Sequence, residues 1–202
     1  FCARFAPLGM RRTALGTCYA MAETTFAVTQ SPPGTAPKVL AASRAALAEG
    51  QFRPAVDGEA KRHCVSSGRL ISGCEASVLD PGGALLPEGQ VGEICLRSAS
   101  MFDGYRNNPE KTSEVLKAGC YQSGDLGFTM QGEFYVIGRS KDIIIVAGKN
   151  LYPEDIEDAV SAIAEVSAGR VVAFGVEDAE SGTEQVCVIA ETEQADEQHA
   201  PA

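Results

Sequence analysis

The chain has 202 residues, 45% of them hydrophobic and 22% charged, with a formal net charge of -10. This is ordinary globular composition, with room for one good core or for one core and a small second one. The excess of carboxylates argues against a general affinity for nucleic acid, whose phosphates are met by Lys and Arg. No stretch approaches the roughly 18 apolar residues of a membrane helix, and no signal-peptide pattern opens the chain. Seven scattered cysteines (2, 18, 64, 74, 95, 120, 187) without a CxxC pair read as reduced thiols, so a cytoplasmic protein is expected. His63 and His199 are too isolated for a metal cluster.

From the start, "FAPLGMRRTALGTCYAMAETTFAVTQ" reads as a strand end near Tyr19 turning into a buried segment. Residues 30–65 look different: "QSPPGTAPKVL" is loop, "AASRAALAEG" a short helix closed by Gly50, and "QFRPAVDGEAKRHC" polar and irregular. This stretch looks like an excursion from the core. Beyond residue 66 the pattern is β. Cys74, Ala76 and Val78 alternate with Glu75 and Ser77, and "VGEICLRS" is a second strand. "NNPEKTSEVLKAG" predicts a helix with Asn108 as N-cap, Pro109 at its first position and Gly119 as its stop. "GEFYVIG" and the β-branched "DIIIVAG" are strands. After Pro153, the residues Ile156, Ala159, Val160 and Ile163 mark one face of an amphipathic helix, with acidic residues in its first turns. "RVVAFGV" and "QVCVIAE" follow as strands, and "ETEQADEQHAPA" reads as a frayed end. No Lys or Arg follows Arg170, while eight Asp and Glu do. A boundary between a β-rich part and an α+β part is expected at 138–142.

Five stretches carry polar groups beyond what turns require. They are "YAMAETT" from Tyr19, "GEICLRSASMFDGY" from Gly92, Ser123-Gly124-Asp125, "GRSKD" from Gly138, and "GKNLYPEDIE" from Gly148. Taken singly, each fits an ordinary role: Glu23 a solvated loop carboxylate, Asp125 a turn residue, Arg139 and Lys141 an exposed charge pair, Tyr19 a core aromatic.

In their order and spacing, the five together resemble the adenylate-forming (AMP-binding) superfamily, which activates carboxylates as acyl-adenylates. The resemblance runs through nearly the whole chain and is closest to the fatty-acyl-AMP ligases. "YAMAETTFAVT" is similar to their Tyr-Gly-x-Ala-Glu motif. "GKNLYPEDIE" is similar to their Gly-(Arg/Lys)-Asn-x-Tyr-Pro signature, and 30–65 lies where those ligases carry an insertion. The resemblance implies an α/β fold: the C-terminal part of the large adenylate-forming domain, a β-rich subdomain, followed by the start of the small α+β C-terminal domain. It implies residues 1–139 in the large domain, a hinge at 140–142 and a truncated small domain at 143–202.

It also implies site roles. Tyr19 and Ala20 would lie at the adenine, with Glu23 holding Mg²⁺ at the phosphates as a hard carboxylate ligand. Asp125 would accept from the ribose hydroxyls, Arg139 would reach the ribose or phosphates, and Lys141 would be the hinge. Lys149 reads as a surface residue. Ala20 stands where the motif has Gly, and Ser123 where Thr is commoner. The family's phosphate loop, expected well over a hundred residues before Tyr19, and its lysine late in the small domain are not in this sequence; the chain is expected to be truncated at both ends. The expected parent uses ATP and Mg²⁺ to convert a fatty acid to acyl-AMP. It then passes the acyl group to the phosphopantetheine thiol of an acyl carrier protein. The rivals are an acyl-CoA synthetase, an amino-acid adenylation domain, and an inactive nucleotide-binding or interaction remnant.

Overall fold

The computed structural model describes residues 1–178 and 183–192. The chain divides into two compact units, Phe1–Ser140 and Lys141–Ala202. Both are built mainly of antiparallel strands with short helices, a mixed α/β architecture.

In the first unit, helix α1 (Cys2–Phe5) leads to strands β1 (Cys18–Ala20) and β2 (Ala27–Gln30). Next come β3 (Val39–Ser43), helix α2 (Arg44–Ala48), β4 (Lys61–Val65) and β5 (Arg69–Leu70). Strands β1, β2 and β5 form one small sheet, and β3 pairs with β4. The main sheet follows: β6 (Cys74–Leu79), β7 (Gly92–Ser98), helix α3 (Pro109–Val115), β8 (Leu116–Lys117), β9 (Cys120–Met130) and β10 (Glu133–Arg139). Its order is β10-β9-β7-β6, with β8 paired to β9. Tyr19, Val28, Ile94, Leu96 and Tyr121 form a core cluster between the small sheet and the main one. Fully burying an Ile or Leu such as Ile94 or Leu96 stabilises the fold by about 1.5–3 kcal/mol each.

The segment 30–65 differs from its sequence reading. The expected helix begins late: Val39–Ser43 is extended, each residue paired with one of Lys61–Val65. Only then does the Ser43 hydroxyl accept from the Ala46 N–H and start α2. Cross-strand pairing overrides the helix propensity of Ala41 and Ala42. Nor is the segment an excursion. It buries Ala42, Ala46, Leu47 and Cys64, and Phe52 stacks on Phe128 at 5.1 Å between ring centroids. Arg62 donates to the Ile137 carbonyl at 2.7 Å, and Lys38 pairs with the buried Glu133 at 2.9 Å.

Helix α3 starts as expected, with the Asn108 side chain accepting from the Lys111 N–H and Pro109 at its first position. It ends earlier than expected, at Val115. Ala118 and Gly119 both have positive φ (50° and 72°) and turn the chain from β8 into β9, so Gly119 serves a hairpin rather than a helix end.

The second unit contains β11 (Ile144–Val146), β12 (Lys149–Leu151), helix α4 (Pro153–Ser161), β13 (Val166–Asp178) and β14 (Thr183–Thr192). The pairs are β11 with β12 and β13 with β14. Strand β12 had no sequence signal. Helix α4 opens on Pro153, with Glu154 and Asp155 in its first turn. The Ile163 N–H bonds to the Val160 carbonyl in a closing turn, so Ile163 lies beyond the helix and is exposed. Glu157 accepts from the Ala173 N–H at 3.0 Å and ties α4 to β13. Of the expected frayed end, Glu191 and Thr192 close β14, while 193–202 lie outside the described residues. Among the described residues no helix is long and apolar enough to cross a membrane.

One polar knot holds the 30–65 segment together. Glu59 accepts from the Arg53 guanidinium, the Ser43 hydroxyl and the Val56 N–H. Those bonds, Arg53 first, hold its carboxyl down to about 2. A depressed carboxyl contributes stability that is complete above its unfolded value and lost as pH falls toward the folded one. Glu59→Gln is therefore expected to lower the urea midpoint at pH 7, with the gap to wild type closing between about pH 4.5 and 2. A gap that persists at pH 2 would contradict the assignment.

Candidate functional site

The site is built around a break in β9. Gly124 has φ +73°, a left-handed conformation that interrupts the strand in its interior. Its N–H donates to Glu93 Oε1 at 2.9 Å and its carbonyl accepts from the Ser140 N–H at 2.8 Å. On the near side of the break, the buried Ser123 hydroxyl donates to the Ile94 carbonyl at 2.6 Å and accepts from the Asp125 N–H at 3.0 Å. The serine found where Thr is commoner thus keeps both hydroxyl roles. Asp125 does not end a strand, as its sequence position suggested; it lies inside β9, opposite Arg139 in the pairing with β10.

Both oxygens of Asp125 are in use. Tyr19 Oη donates to Oδ2 at 2.5 Å, and Arg139 Nε donates to Oδ1 at 2.7 Å. Tyr19 is 9% exposed, its ring packed in the core cluster. Burial, and then the Asp125 bond, push its phenol up, so it remains a donor throughout the useful pH range. A carboxylate offers about four lone-pair positions. Each Asp125 oxygen therefore retains capacity for one more donor, as two vicinal hydroxyls require.

Glu23 lies on the 3₁₀ turn Ala22–Thr24 between β1 and β2. The turn is anchored through its backbone: Phe102 N–H donates to the Glu23 carbonyl and Ser100 Oγ to the Thr24 carbonyl, each at 2.8 Å. The carboxylate accepts from Tyr105 Oη at 2.8 Å. Partial burial opposes its charge, but the Tyr105 bond, the Tyr121 hydroxyl and the nearby Arg139 cation outweigh it and hold the carboxyl below its usual range. Ala20 follows Tyr19 on the exposed side of β1, at a register shift against β2. Its backbone is outside the left-handed region, so its methyl costs no strain there. Lys141 is the first residue of the second unit and is exposed.

Tyr19, Asp125 and Arg139 are thus joined directly, and the Arg139 charge reaches Glu23 as well. Sequence reasoning missed Glu93 and the tyrosines 105 and 121. Tyr105 closes one of the quoted stretches, but nothing in the sequence links it to a carboxylate 82 positions earlier.

The donor set suits a nucleotide carried with a hard divalent cation. Glu23 presents one ionised carboxylate, the kind of oxygen that Mg²⁺ takes from a protein when phosphates and water complete its shell. Among the described residues there is no cluster of three or more metal-ligating side chains.

Known proteins agree with this architecture. A model of the AMP-binding enzyme family matches residues 2–106, and the chain belongs to that family. It is 34% identical, over 95% of its length, to a 4-hydroxyphenylalkanoate adenylyltransferase of Mycobacterium tuberculosis, covering 32% of that protein. It is 35% identical, over 96% of its length, to the medium-chain-fatty-acid--[acyl-carrier-protein] ligase JamA of Moorena producens, covering 34%. Among solved structures, it matches one of the fatty acyl-adenylate ligases studied from E. coli and L. pneumophila. The TM-score is 0.87 and the identity 27%, over 98% of this chain and 35% of that one. The chain spans about a third of the length of the curated relatives. The fold is the adenylate-forming one, strand-rich and mixed α/β, and its relatives include fatty-acyl-AMP ligases.

Ser123 tests how the break in β9 is held. Ser123→Ala leaves the Ile94 carbonyl and the Asp125 N–H without their shared partner and is expected to cost about 1–3 kcal/mol in urea unfolding. A change below about 0.5 kcal/mol would mean that the hydroxyl does not fix the break.

Proposed function

We propose that this chain is the nucleoside-binding part of a ligase that converts a fatty acid and ATP to acyl-AMP and pyrophosphate. The acyl group then passes to the phosphopantetheine thiol of an acyl carrier protein. The observation that carries the reading is the Asp125 carboxylate, held by Tyr19 and Arg139 with one acceptor position left on each oxygen. Family membership and relatives named as acyl-adenylate and acyl-carrier-protein ligases support it.

In this reading Asp125 binds both ribose hydroxyls. Tyr19 and Ala20 line the adenine, and Arg139 faces the ribose or the phosphates. Glu23 holds Mg²⁺, which would offset charge on the phosphates. The substrate carboxylate attacks the α-phosphorus, the bond to the β-phosphate oxygen breaks, and pyrophosphate leaves. In the second half-reaction the thiolate attacks the acyl carbon and AMP leaves with the bonding pair. The chain's own contribution is to position the nucleoside and to place charge where the phosphates lie.

Residues 1–139 are read as the C-terminal portion of the large domain, with 30–65 as the insertion. Residues 140–142 are the hinge and 143–202 the first part of the small domain. Turning about Lys141 would exchange active-site faces between the half-reactions, and the insertion would restrain that turn, favouring a carrier protein over free coenzyme A. The 202 residues alone, which contain neither the phosphate loop nor a lysine after Lys149, are expected to show no exchange.

Fatty-acid-dependent pyrophosphate exchange by the protein carrying this chain tests the first half-reaction. Asp125→Ala is expected to lower it by at least about a hundredfold, since two hydrogen bonds to a charged group, each worth ~1.5–3 kcal/mol, are lost. Activity with ATP unchanged in Asp125→Ala would refute the ribose role. Rapid acyl-CoA formation with free coenzyme A would refute the choice of acceptor.

A further inference from the structure

Glu23 is gripped from one side by a loop whose residues the reaction as described does not use. Tyr105 Oη donates to Glu23 Oε1 at 2.8 Å and lies 3.3 Å from Tyr121 Oη. A phenol has a single proton to give. With that of Tyr105 committed to the carboxylate, the Tyr121 hydroxyl is the donor to Tyr105. The result is a relay running from Tyr121 to Tyr105 to Glu23.

Each member of the relay is itself fixed. Phe102 packs edge-on against both tyrosines, with ring centroids 5.0 Å from Tyr105 and 5.7 Å from Tyr121. The Tyr105 N–H donates to Thr112 Oγ1 at 2.9 Å, which ties the tyrosine to α3. Gly104, at φ +146°, leaves no room for a larger residue: a Cβ there would lie 2.6 Å from Thr112 Cγ2. Tyr121 stands on β9, four residues before Asp125. The same strand therefore supports Glu23, through the two hydroxyls, and carries the carboxylate assigned to the ribose.

We infer that Tyr105 is a positioning residue, backed by Tyr121, which fixes the Glu23 carboxylate in the orientation that receives the divalent cation. The inference rests on the metal role of Glu23 in the reading above. A carboxylate on a short turn has several rotamers, and a neutral donor on one oxygen selects among them without competing for the cation's charge. Groups that orient a metal ligand in this way typically govern metal affinity by 10–100-fold. Glu23 and Tyr105 are far apart in sequence, so the relay also requires that the 98–105 loop be closed over the turn, as the Phe102–Glu23 and Ser100–Thr24 bonds make it.

The test uses the protein carrying this chain, as wild type and as Tyr105→Phe, which removes one oxygen and keeps the ring. Equilibrium binding of Mn²⁺ in the presence of a non-hydrolysable ATP analogue is read by electron paramagnetic resonance. AMP binding without metal is read by calorimetry. Tyr105→Phe is expected to weaken Mn²⁺ binding on the order of 10–100-fold while leaving AMP affinity within about twofold. Half-saturation by Mg²⁺ in pyrophosphate exchange should rise in parallel, with kcat at saturating Mg²⁺ nearly kept. Tyr121→Phe should shift Mn²⁺ binding in the same direction by less, and it carries the test if Tyr105→Phe fails to fold. Equal Mn²⁺ affinity in wild type and variant would overturn the inference. So would parallel losses of Mn²⁺ and AMP binding, which indicate a structural role only. Absence of fatty-acid-dependent exchange in wild type would count against the proposed reaction instead, with the Mn²⁺ comparison still deciding the role of Tyr105.

Discussion

The site depends on one carboxylate held under constraint. Asp125 sits where β9 is forced out of its ladder by the left-handed Gly124, and its two oxygens are occupied by a core phenol and a strand-end guanidinium. Without the break, the strand would continue its regular alternation and the pairing of β9 with β7 and β10 would not shift on either side of the site. Without the Ser123 and Glu93 bonds, the break would leave the buried Ile94 carbonyl and the Gly124 N–H without these partners. Tyr19 couples the site to the core cluster, because the ring that donates to Asp125 is the ring that packs on Val28, Ile94 and Leu96. Stability and ligand geometry thus share residues here. In the proposed reading the site is therefore preorganised by the scaffold rather than assembled by the ligand.

The second carboxylate is treated differently. Glu23 is on a turn, held by backbone bonds from the 98–105 loop and by one phenol. A carboxylate supported in this way stays ionised and accessible, whereas Asp125 has each oxygen fixed by one protein donor with one acceptor position left. The contrast matches the two tasks assigned to them: a neutral diol needs a fixed pair of acceptors, and a cation needs one ionised oxygen with room for other ligands.

What was legible in the sequence was what local chemistry specifies. The alternation of Cys74, Ala76 and Val78 and the run "GEFYVIG" mark strands, and Asn108-Pro109 and Pro153 start helices where their chemistry predicts. The order of the five stretches pointed to the family that the comparisons bear out. Less legible was whatever depends on a distant partner. Ala41 and Ala42 favour a helix until paired with Arg62 and His63. Gly119 resembles a helix stop until β8 turns back on β9. The tyrosines around Glu23 have no pattern of their own, because a hydroxyl's partner is settled by tertiary packing and not by spacing.

The account's central claim is that Asp125, with both oxygens already held by protein donors, is the acceptor of a ribose diol. A crystal structure of the protein with bound AMP tests this most directly. The account predicts that each Asp125 oxygen accepts one ribose hydroxyl while Tyr19 and Arg139 keep their own bonds to it. A nucleotide bound with its ribose away from Asp125, or one that displaces Tyr19 from the carboxylate, would contradict it.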